Sequence, residues 1–192
     1  MCGFERKEFA RAFIALELPG EIRQRIMVLE DEISKTGADV KLVEFDNLHV
    51  TMKFLGDISI ESVERVHQAM RGVKASKYQL RVKGTGVFPN SRMVRVLWVG
   101  TDEGAEETVN IFKQLEERLS QMGFSRERVF TPHITIGRVR SPKNREALIN
   151  AMDRNRDVEF GMVKVGRLVM KKSVLTANGA IYSNLREVEL EP

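Results

Sequence analysis

The sequence predicts a mixed fold of strands and helices, built as one compact unit of 192 residues with two related lobes. Segments of period two, typical of strands, alternate with segments of helical period. Their order in the first half of the chain recurs in the second half, and no low-complexity linker divides the two. We expect an N-terminal lobe at roughly 10–100 and a C-terminal lobe at roughly 104–192, with room for strands to be exchanged between them.

The first lobe contains two helical patterns among short strands. Pro19 is expected to open the first helix and Gly37 to end it, and Ser59 is expected to cap the second helix. A stretch rich in Gly and Pro predicts a loop between two strands. In order, we predict a strand at 11–18, a helix at 19–37, strands at 40–44 and 48–55, a helix at 59–73, a strand at 78–83, a loop at 84–90 and a strand at 93–99.

The second lobe repeats this order. Gly123 suits the left-handed turn that follows a helix, and Ser141 followed by Pro142 fits the start of another helix. Asn178 and Gly179 predict a hairpin turn, because both residues tolerate positive φ. In order, we predict a helix at 105–123, a strand at 133–136, a helix at 142–152, and strands at about 162–172 and 180–190.

Composition favours a cytoplasmic protein. The single cysteine, Cys2, cannot form an intramolecular disulfide, in agreement with a reducing compartment. The first apolar stretch is broken by Arg11 and Glu17, and no segment approaches the roughly 20 apolar residues of a membrane span. The net charge of +4 is compatible with an anionic partner such as RNA but does not demonstrate one.

Two copies of one motif, His-x-Thr-x, are the main functional signal. They span His49–Met52 and His133–Ile136, and each lies in an alternating strand pattern. Because residues i and i+2 of a strand point the same way, each copy presents an imidazole and a hydroxyl on one surface. The same alternation places Lys53 on the His49 face, where it is expected to neutralise RNA phosphate at the edge of a cleft.

Paired imidazoles suit acid/base chemistry on a phosphodiester. The pKa of a free imidazole is about 6.5, so one histidine can act as a base while a second, held protonated, acts as an acid. Two threonine hydroxyls can donate hydrogen bonds to phosphate oxygens. This set suits attack of water on a cyclic phosphate without a metal or another cofactor.

Simpler interpretations apply to each residue alone. A lone histidine in a strand is often structural, but repetition of the whole motif argues against that here. A zinc site needs three or four ligands, and no Asp, Glu or Cys shares these strand faces. Apolar alternation assigns Phe13, Phe54 and Trp98 to the core, whereas Tyr182 and Phe88, near turns, are candidates for contacting a base.

Five segments, in matching order and spacing, carry a resemblance to a known family. They are Arg11–Ala15, Asn47–Gly56, Val87–Asn90, Arg95–Trp98 and Thr131–Val139. Most of the chain therefore resembles the 2H phosphoesterases, specifically the archaeal and bacterial RNA 2′,3′-cyclic phosphodiesterases, also called 2′-5′ RNA ligases. Residues 1–9 have no counterpart in the family and are interpreted as an N-terminal extension.

The resemblance implies a bilobal α+β fold, in which two pseudo-symmetric antiparallel sheets line a central cleft and helices pack outside. It also implies hydrolysis of terminal 2′,3′-cyclic phosphate on RNA to a 2′-phosphomonoester, with reversible 2′-5′ ligation. By the same resemblance His49 is the proton donor and His133 the proton acceptor. Thr51 and Thr135 would hold phosphate oxygens, and Arg138 would contact the phosphate or nucleotide.

Arg138 is the one position where the resemblance and the strand pattern disagree. Strict alternation places Gly137 in the cleft and Arg138 behind it, beside Ile134 and Ile136. A β-bulge or strand end at Gly137 would return Arg138 to the cleft.

Two other functions are compatible with the sequence. One is a cyclic phosphodiesterase acting on a small nucleotide such as ADP-ribose 1″,2″-cyclic phosphate, and the other is an RNA-binding module without chemistry. For the enzyme we expect a monomer that needs no protein partner and acts on RNA ends, with tRNA fragments among the candidates.

Overall fold

The computed structural model describes residues 9–177 and 179–192, which form nine strands, four α-helices and a short 3-10 helix at Phe45–Asn47. The strands are β1 (Phe9–Glu17), β2 (Val40–Leu42), β3 (His49–Ser59), β4 (Tyr78–Asn90), β5 (Met93–Thr101), β6 (His133–Val139), β7 (Glu159–Val165), β8 (Arg167–Thr176) and β9 (Gly179–Glu189). The helices are α1 (Gly20–Lys35), α2 (Ile60–Arg71), α3 (Ala105–Gln121) and α4 (Arg145–Arg154).

The strands pair in the order β7-β4-β5-β6-β3-β1-β8-β9, with β2 added beside β6, and every neighbouring pair is antiparallel. The predicted α+β fold is therefore confirmed. The two expected sheets are two halves of one hydrogen-bonded sheet. They join where Val50 of β3 pairs with Ile134 of β6.

Strands are exchanged between the two sequence halves. The half of the sheet that contains β3 and β1 is completed by β8 and β9 from the C-terminal part of the chain. The half that contains β6 and β7 is completed by β4 and β5, which come from the N-terminal part. Each half of the sheet therefore draws on both 10–100 and 104–192.

The helices α1, α2 and α3 each pack one face, whose apolar residues recur at helical spacing, against the core. The buried faces are Ile22, Ile26, Leu29 and Ile33 of α1, Val63, Val66 and Met70 of α2, and Ile111, Leu115 and Leu119 of α3. Ser59 caps α2 as expected, since its hydroxyl accepts a hydrogen bond of 3.2 Å from the Ser62 amide. None of the described helices is both long enough and apolar enough to span a membrane.

The predicted loop at 84–90 is wrong, because these residues continue β4 and pair with β5. The glycines that suggested a loop have a packing role. A Cβ atom placed on Gly86 would lie 2.0 Å from the Trp98 indole, so only glycine lets that ring lie flat against the strand.

Two further predictions need correction. The last helix begins at Arg145 rather than at Pro142, because Asn144 adopts a left-handed conformation with φ of +52° immediately before it. The predicted strand at 162–172 is two strands, β7 and β8, that separate at Gly166 and pair with β4 and β1.

Parts of two predictions fall outside the described residues. Of the expected extension at 1–9, residues 1–8 lie outside them, and Phe9 is the first residue of β1. Of the predicted turn between β8 and β9, Asn178 lies outside them. Gly179 has φ of +143°, a conformation that favours glycine.

Candidate active site

A β-bulge follows the first His-x-Thr motif. Thr51 of β3 pairs with Ala15 of β1, but the next β1 residue, Ile14, pairs with Lys53. Met52 is therefore an extra residue in β3. A bulge of one residue inverts the alternation of side chains beyond it.

The second motif is followed by a bulge at the equivalent position. Thr135 of β6 pairs with Trp98 of β5, and the next β5 residue, Leu97, pairs with Gly137. Ile136 is the extra residue. The residue at the fourth position of each His-x-Thr-x motif is thus the extra residue of a β-bulge. Beyond it, the side chains of each strand lie on the opposite face from the one that strict alternation predicts.

The first bulge makes the prediction for Lys53 wrong. Its side chain turns into the core and is 2% exposed. There its Nζ lies 2.6 Å from a Glu116 carboxylate oxygen and donates a hydrogen bond of 2.7 Å to the Ser125 carbonyl. Phe54, expected in the core, instead lies on the outer face and is 63% exposed. Strict alternation predicts the wrong face for Lys53 and Phe54, because the local sequence pattern does not reveal that Met52 is an extra residue.

The second bulge has the opposite effect on Arg138. Gly137 takes the buried position, where an added Cβ would lie 2.8 Å from a Val40 methyl group. Arg138 is exposed and lies on the same face as His133 and Thr135. The bulge that returns it to this face lies at Ile136, one residue before the expected position. Arg138 and Phe54 each lie five residues beyond a motif histidine and are equivalent positions of the repeat.

We call the face of the sheet that carries both motifs the histidine face. The strands β3 and β6 are antiparallel and meet at Val50 and Ile134. The motifs therefore run in opposite directions, and each histidine lies across from the threonine of the other motif. The two histidine Cα atoms are then roughly 8 Å apart, given strand rises of about 3.3 Å and a strand separation of about 4.8 Å.

Both imidazoles are oriented by the same backbone contact. Nδ1 of His49 donates a hydrogen bond to the Asn47 carbonyl at 2.6 Å, and Nδ1 of His133 donates one to the Thr131 carbonyl at 2.7 Å. Because a carbonyl only accepts, the proton of each neutral ring resides on Nδ1. Nε2 is left as the reactive nitrogen of each histidine. The Thr51 hydroxyl lies 2.9 Å from Nε2 of His49 and donates to it.

Aromatic rings flank both histidines. The His49 ring stacks on Phe13 with centroids 4.9 Å apart and meets Tyr182 edge-on at 5.6 Å. Around His133, Phe88 lies edge-on at 5.2 Å and Trp98 at 6.3 Å. Tyr182 is thus brought to the histidine face from β9, which is far from both motifs in sequence. Phe88 was a candidate for contacting a base, whereas Trp98 was expected in the core, and both rings reach His133 because β5 pairs with β4 and β6.

The environment of His49 favours the neutral ring. Burial lowers the pKa of His49 to about 4, and the positive charges of Lys171 and Arg23 act in the same direction. The hydrogen bond to the Asn47 carbonyl and the Glu17 carboxylate oppose this shift. At pH 7 the free protein therefore holds His49 neutral, so a role as proton donor requires its pKa to rise when an anion binds.

Among residues 9–177 and 179–192, no three His, Cys, Asp or Glu side chains are grouped closely enough to hold a metal ion. The third histidine, His67, lies on α2, with its Nδ1 at 3.7 Å from a Glu64 carboxylate oxygen. It takes no part in the histidine face.

A pseudo-symmetric sheet with one His-x-Thr-x motif in each half defines the class of 2H phosphoesterases. The chain belongs to the family described as LigT like Phosphoesterase, whose model matches it twice, at residues 16–98 and 99–182. Each match contains one of the two motifs. The family resemblance expected from the sequence is confirmed.

Named relatives are similar over nearly their whole length. An RNA 2′,3′-cyclic phosphodiesterase of Methanocaldococcus jannaschii is 37% identical, over 92% of this chain and 99% of its own. The RNA 2′,3′-cyclic phosphodiesterase of Methanothermobacter thermautotrophicus is 35% identical, over 94% of this chain and 98% of its own. A crystal structure described as a phosphoesterase has the same fold, with a TM-score of 0.78 at 22% identity, over 96% of this chain and 100% of its own.

Proposed function

We propose that this protein hydrolyses the terminal 2′,3′-cyclic phosphate of RNA to a 2′-phosphomonoester by acid/base catalysis with His49 and His133. The observation that carries the proposal is the pair of Nε2 atoms on adjacent antiparallel strands, each ring oriented by a backbone carbonyl. Relatives named RNA 2′,3′-cyclic phosphodiesterase at 35% and 37% identity support the substrate.

In the proposed reaction, Nε2 of His133 accepts a proton from water as the water oxygen attacks phosphorus. The bond from phosphorus to the new oxygen forms as the bond to the ribose 3′ oxygen breaks. His49 gives its Nε2 proton to that departing oxygen. The hydroxyls of Thr51 and Thr135 donate to the non-bridging oxygens, and Arg138 compensates the negative charge. No metal is needed for either proton transfer.

The contacts of His49 fit a donor that becomes charged only when substrate binds. An anionic phosphate next to the ring favours its protonated form and raises its pKa from the low value of the free protein. The Thr51 hydroxyl, which donates to Nε2 in the free protein, can then turn to a phosphate oxygen. The bond from Nδ1 to the Asn47 carbonyl persists and favours the charged ring.

The same arrangement supports weak joining of RNA ends. If a 5′-hydroxyl of a second RNA takes the place of water, the same displacement leaves a 2′-5′ linkage, and the step is reversible. We further propose that the protein acts as a monomer in the cytoplasm, with tRNA fragments among its substrates. Size-exclusion chromatography with light scattering tests the monomer, and a second copy at micromolar concentration would contradict it.

The test uses an RNA oligonucleotide that ends in a 2′,3′-cyclic phosphate, with EDTA present throughout. We expect a product with a 2′-phosphomonoester. We also expect His49→Ala and His133→Ala each to lower kcat by at least about 10²-fold. His67→Ala is the matched control and should change kcat by less than about twofold.

Three results would contradict the proposal. Activity that is lost in EDTA and restored by zinc would show that the reaction depends on a metal ion, and it would overturn the two-histidine mechanism. A product with a 3′-phosphomonoester would show that the ribose 2′ oxygen leaves instead of the 3′ oxygen. Binding of RNA that is unaffected by either histidine substitution, without turnover, would identify a non-catalytic RNA-binding module.

A further inference from the structure

A groove of about 560 Å³ lies beside the histidine face, between the tip of the β4–β5 hairpin and the segment that joins β6 to α4. Its remaining lining is apolar or small, and no acidic residue lines it. We call it the arginine groove after the five arginines that line it, Arg92, Arg95, Arg138, Arg140 and Arg145.

The charges of the arginine groove are not balanced by neighbouring carboxylates. Among the residues that the structure describes, no Asp or Glu forms an ion pair with any of the five, whereas several arginines elsewhere are paired, as Arg81 is with Asp102. Arg145 instead donates a hydrogen bond of 2.7 Å to the Arg92 carbonyl. Guanidinium groups gathered in this way repel one another and favour a bound anion, above all one with phosphate geometry.

The arginine groove is continuous with the candidate active site through Arg138. This residue lines the groove. Its positive charge also acts to lower the pKa of Tyr182, and the Tyr182 ring lies 5.6 Å from the His49 ring. Arg138 lies three residues beyond Thr135, which lies across from His49, and Arg140 follows just after the end of β6. At about 3.3 Å per residue and a strand separation of about 4.8 Å, the Arg138 Cα atom is roughly 11 Å from that of His49. Arg138 is therefore shared by the two regions, and an anion held by the other four arginines lies beyond the phosphate between the histidines.

RNA that ends in a 2′,3′-cyclic phosphate can extend from the site only through its 5′ side. We infer that the arginine groove binds the backbone phosphates of the nucleotides on that 5′ side. The protein then prefers an RNA chain to a cyclic mononucleotide or another small cyclic phosphate. This inference rests on the proposed function and adds a second binding region to it. Positively charged grooves that follow the backbone are a general means of binding single strands.

The test compares a short RNA oligonucleotide ending in a 2′,3′-cyclic phosphate with a 2′,3′-cyclic mononucleotide. The variant combines Arg95→Gln, Arg140→Gln and Arg145→Gln, all at exposed positions and none of them assigned a role in the proposed proton transfers. We expect the ratio of kcat/KM for the oligonucleotide to kcat/KM for the mononucleotide to fall at least about tenfold, chiefly through KM. The slope of log affinity against log salt should become shallower by about 2, since each neutralised phosphate on a single strand contributes about 0.7.

The control carries the same loss of charge on other surfaces, at exposed Arg65, Lys113 and Lys164. Its three Gln substitutions should leave the ratio within about twofold of the original protein. An unchanged ratio in the groove variant, or an equal fall in the control, would overturn the inference.

Failure of the proposed function is a separate outcome. If the protein opens neither substrate, fluorescence anisotropy with labelled single-stranded RNA still tests the groove. Weaker binding by the groove variant than by the control supports the inference, and equal binding overturns it.

Discussion

The buried cation Lys53 allows a structural role to be separated from a role in substrate binding. Its side chain is 2% exposed and its Nζ lies 2.6 Å from Glu116, which is itself 5% exposed and accepts a 2.7 Å hydrogen bond from the Glu127 amide. Lys53→Met keeps most of the side-chain volume and removes the charge. The carboxylate of Glu116 is then left in the core without its cation.

Loss of one partner from a buried ion pair costs about 3–5 kcal/mol, because the remaining charge is uncompensated. For a chain of this size each kcal/mol lowers Tm by about 2–4 °C, so Tm should fall by about 10 °C. The matched control is Lys35→Met, which removes an exposed pair with Asp31 on α1. That change should leave Tm nearly unchanged, because an exposed ion pair is screened by water and salt and contributes little to stability.

The double variant Lys53→Met/Glu116→Leu should recover much of the lost stability, because it removes the orphaned charge as well. Thermal unfolding followed by circular dichroism gives Tm, and kcat/KM on a cyclic-phosphate RNA is measured well below it. We expect kcat/KM of Lys53→Met to remain within about twofold of the original protein. A tenfold fall in kcat/KM with an unchanged Tm would refute this reasoning and return Lys53 to the substrate site.

Three further predictions concern ionisable groups. Because the pKa of His49 in the free protein is about 4, little of the free enzyme carries the donor proton at pH 7, and the bell-shaped profile of kcat/KM should have the lower of its two apparent pKa values near 4. A profile whose lower apparent pKa is 6.5 or above would contradict this. Lys171→Met removes a positive charge that lowers the pKa of His49, so an NMR titration should show that pKa raised; an unchanged value would exclude this cause. Burial and the charge of Glu44 raise the pKa of Glu30 from 4.5 to about 8, so its contribution to stability is complete below pH 4.5 and is lost as pH rises to 8. Glu30→Gln should therefore leave urea stability unchanged at pH 4 and raise it by about 2–4 kcal/mol at pH 9, and equal effects at both pH values would contradict this.

The helices were the most predictable part of the fold. Apolar spacing identified the buried faces of α1, α2 and α3, because helical hydrogen bonds are local and the period of 3.6 residues appears directly in the sequence. Glycine and proline were less reliable guides. Gly86 is needed because the Trp98 ring lies against it, which is a contact between strands that the local sequence does not reveal.

The sequence by itself determined that each of two strands presents an imidazole and a hydroxyl on one face. The spacing of His49 with Thr51 and of His133 with Thr135 is a local property, since residues i and i+2 of a strand point the same way. Only the tertiary structure decided what surrounds them. The bulges at Met52 and Ile136 arise from the register with β1 and β5, and they send Lys53 inward and Arg138 outward. Strand pairing likewise brings distant aromatic rings and arginines to the histidine face, since the hydrogen bonds of a sheet join residues that are far apart in the chain.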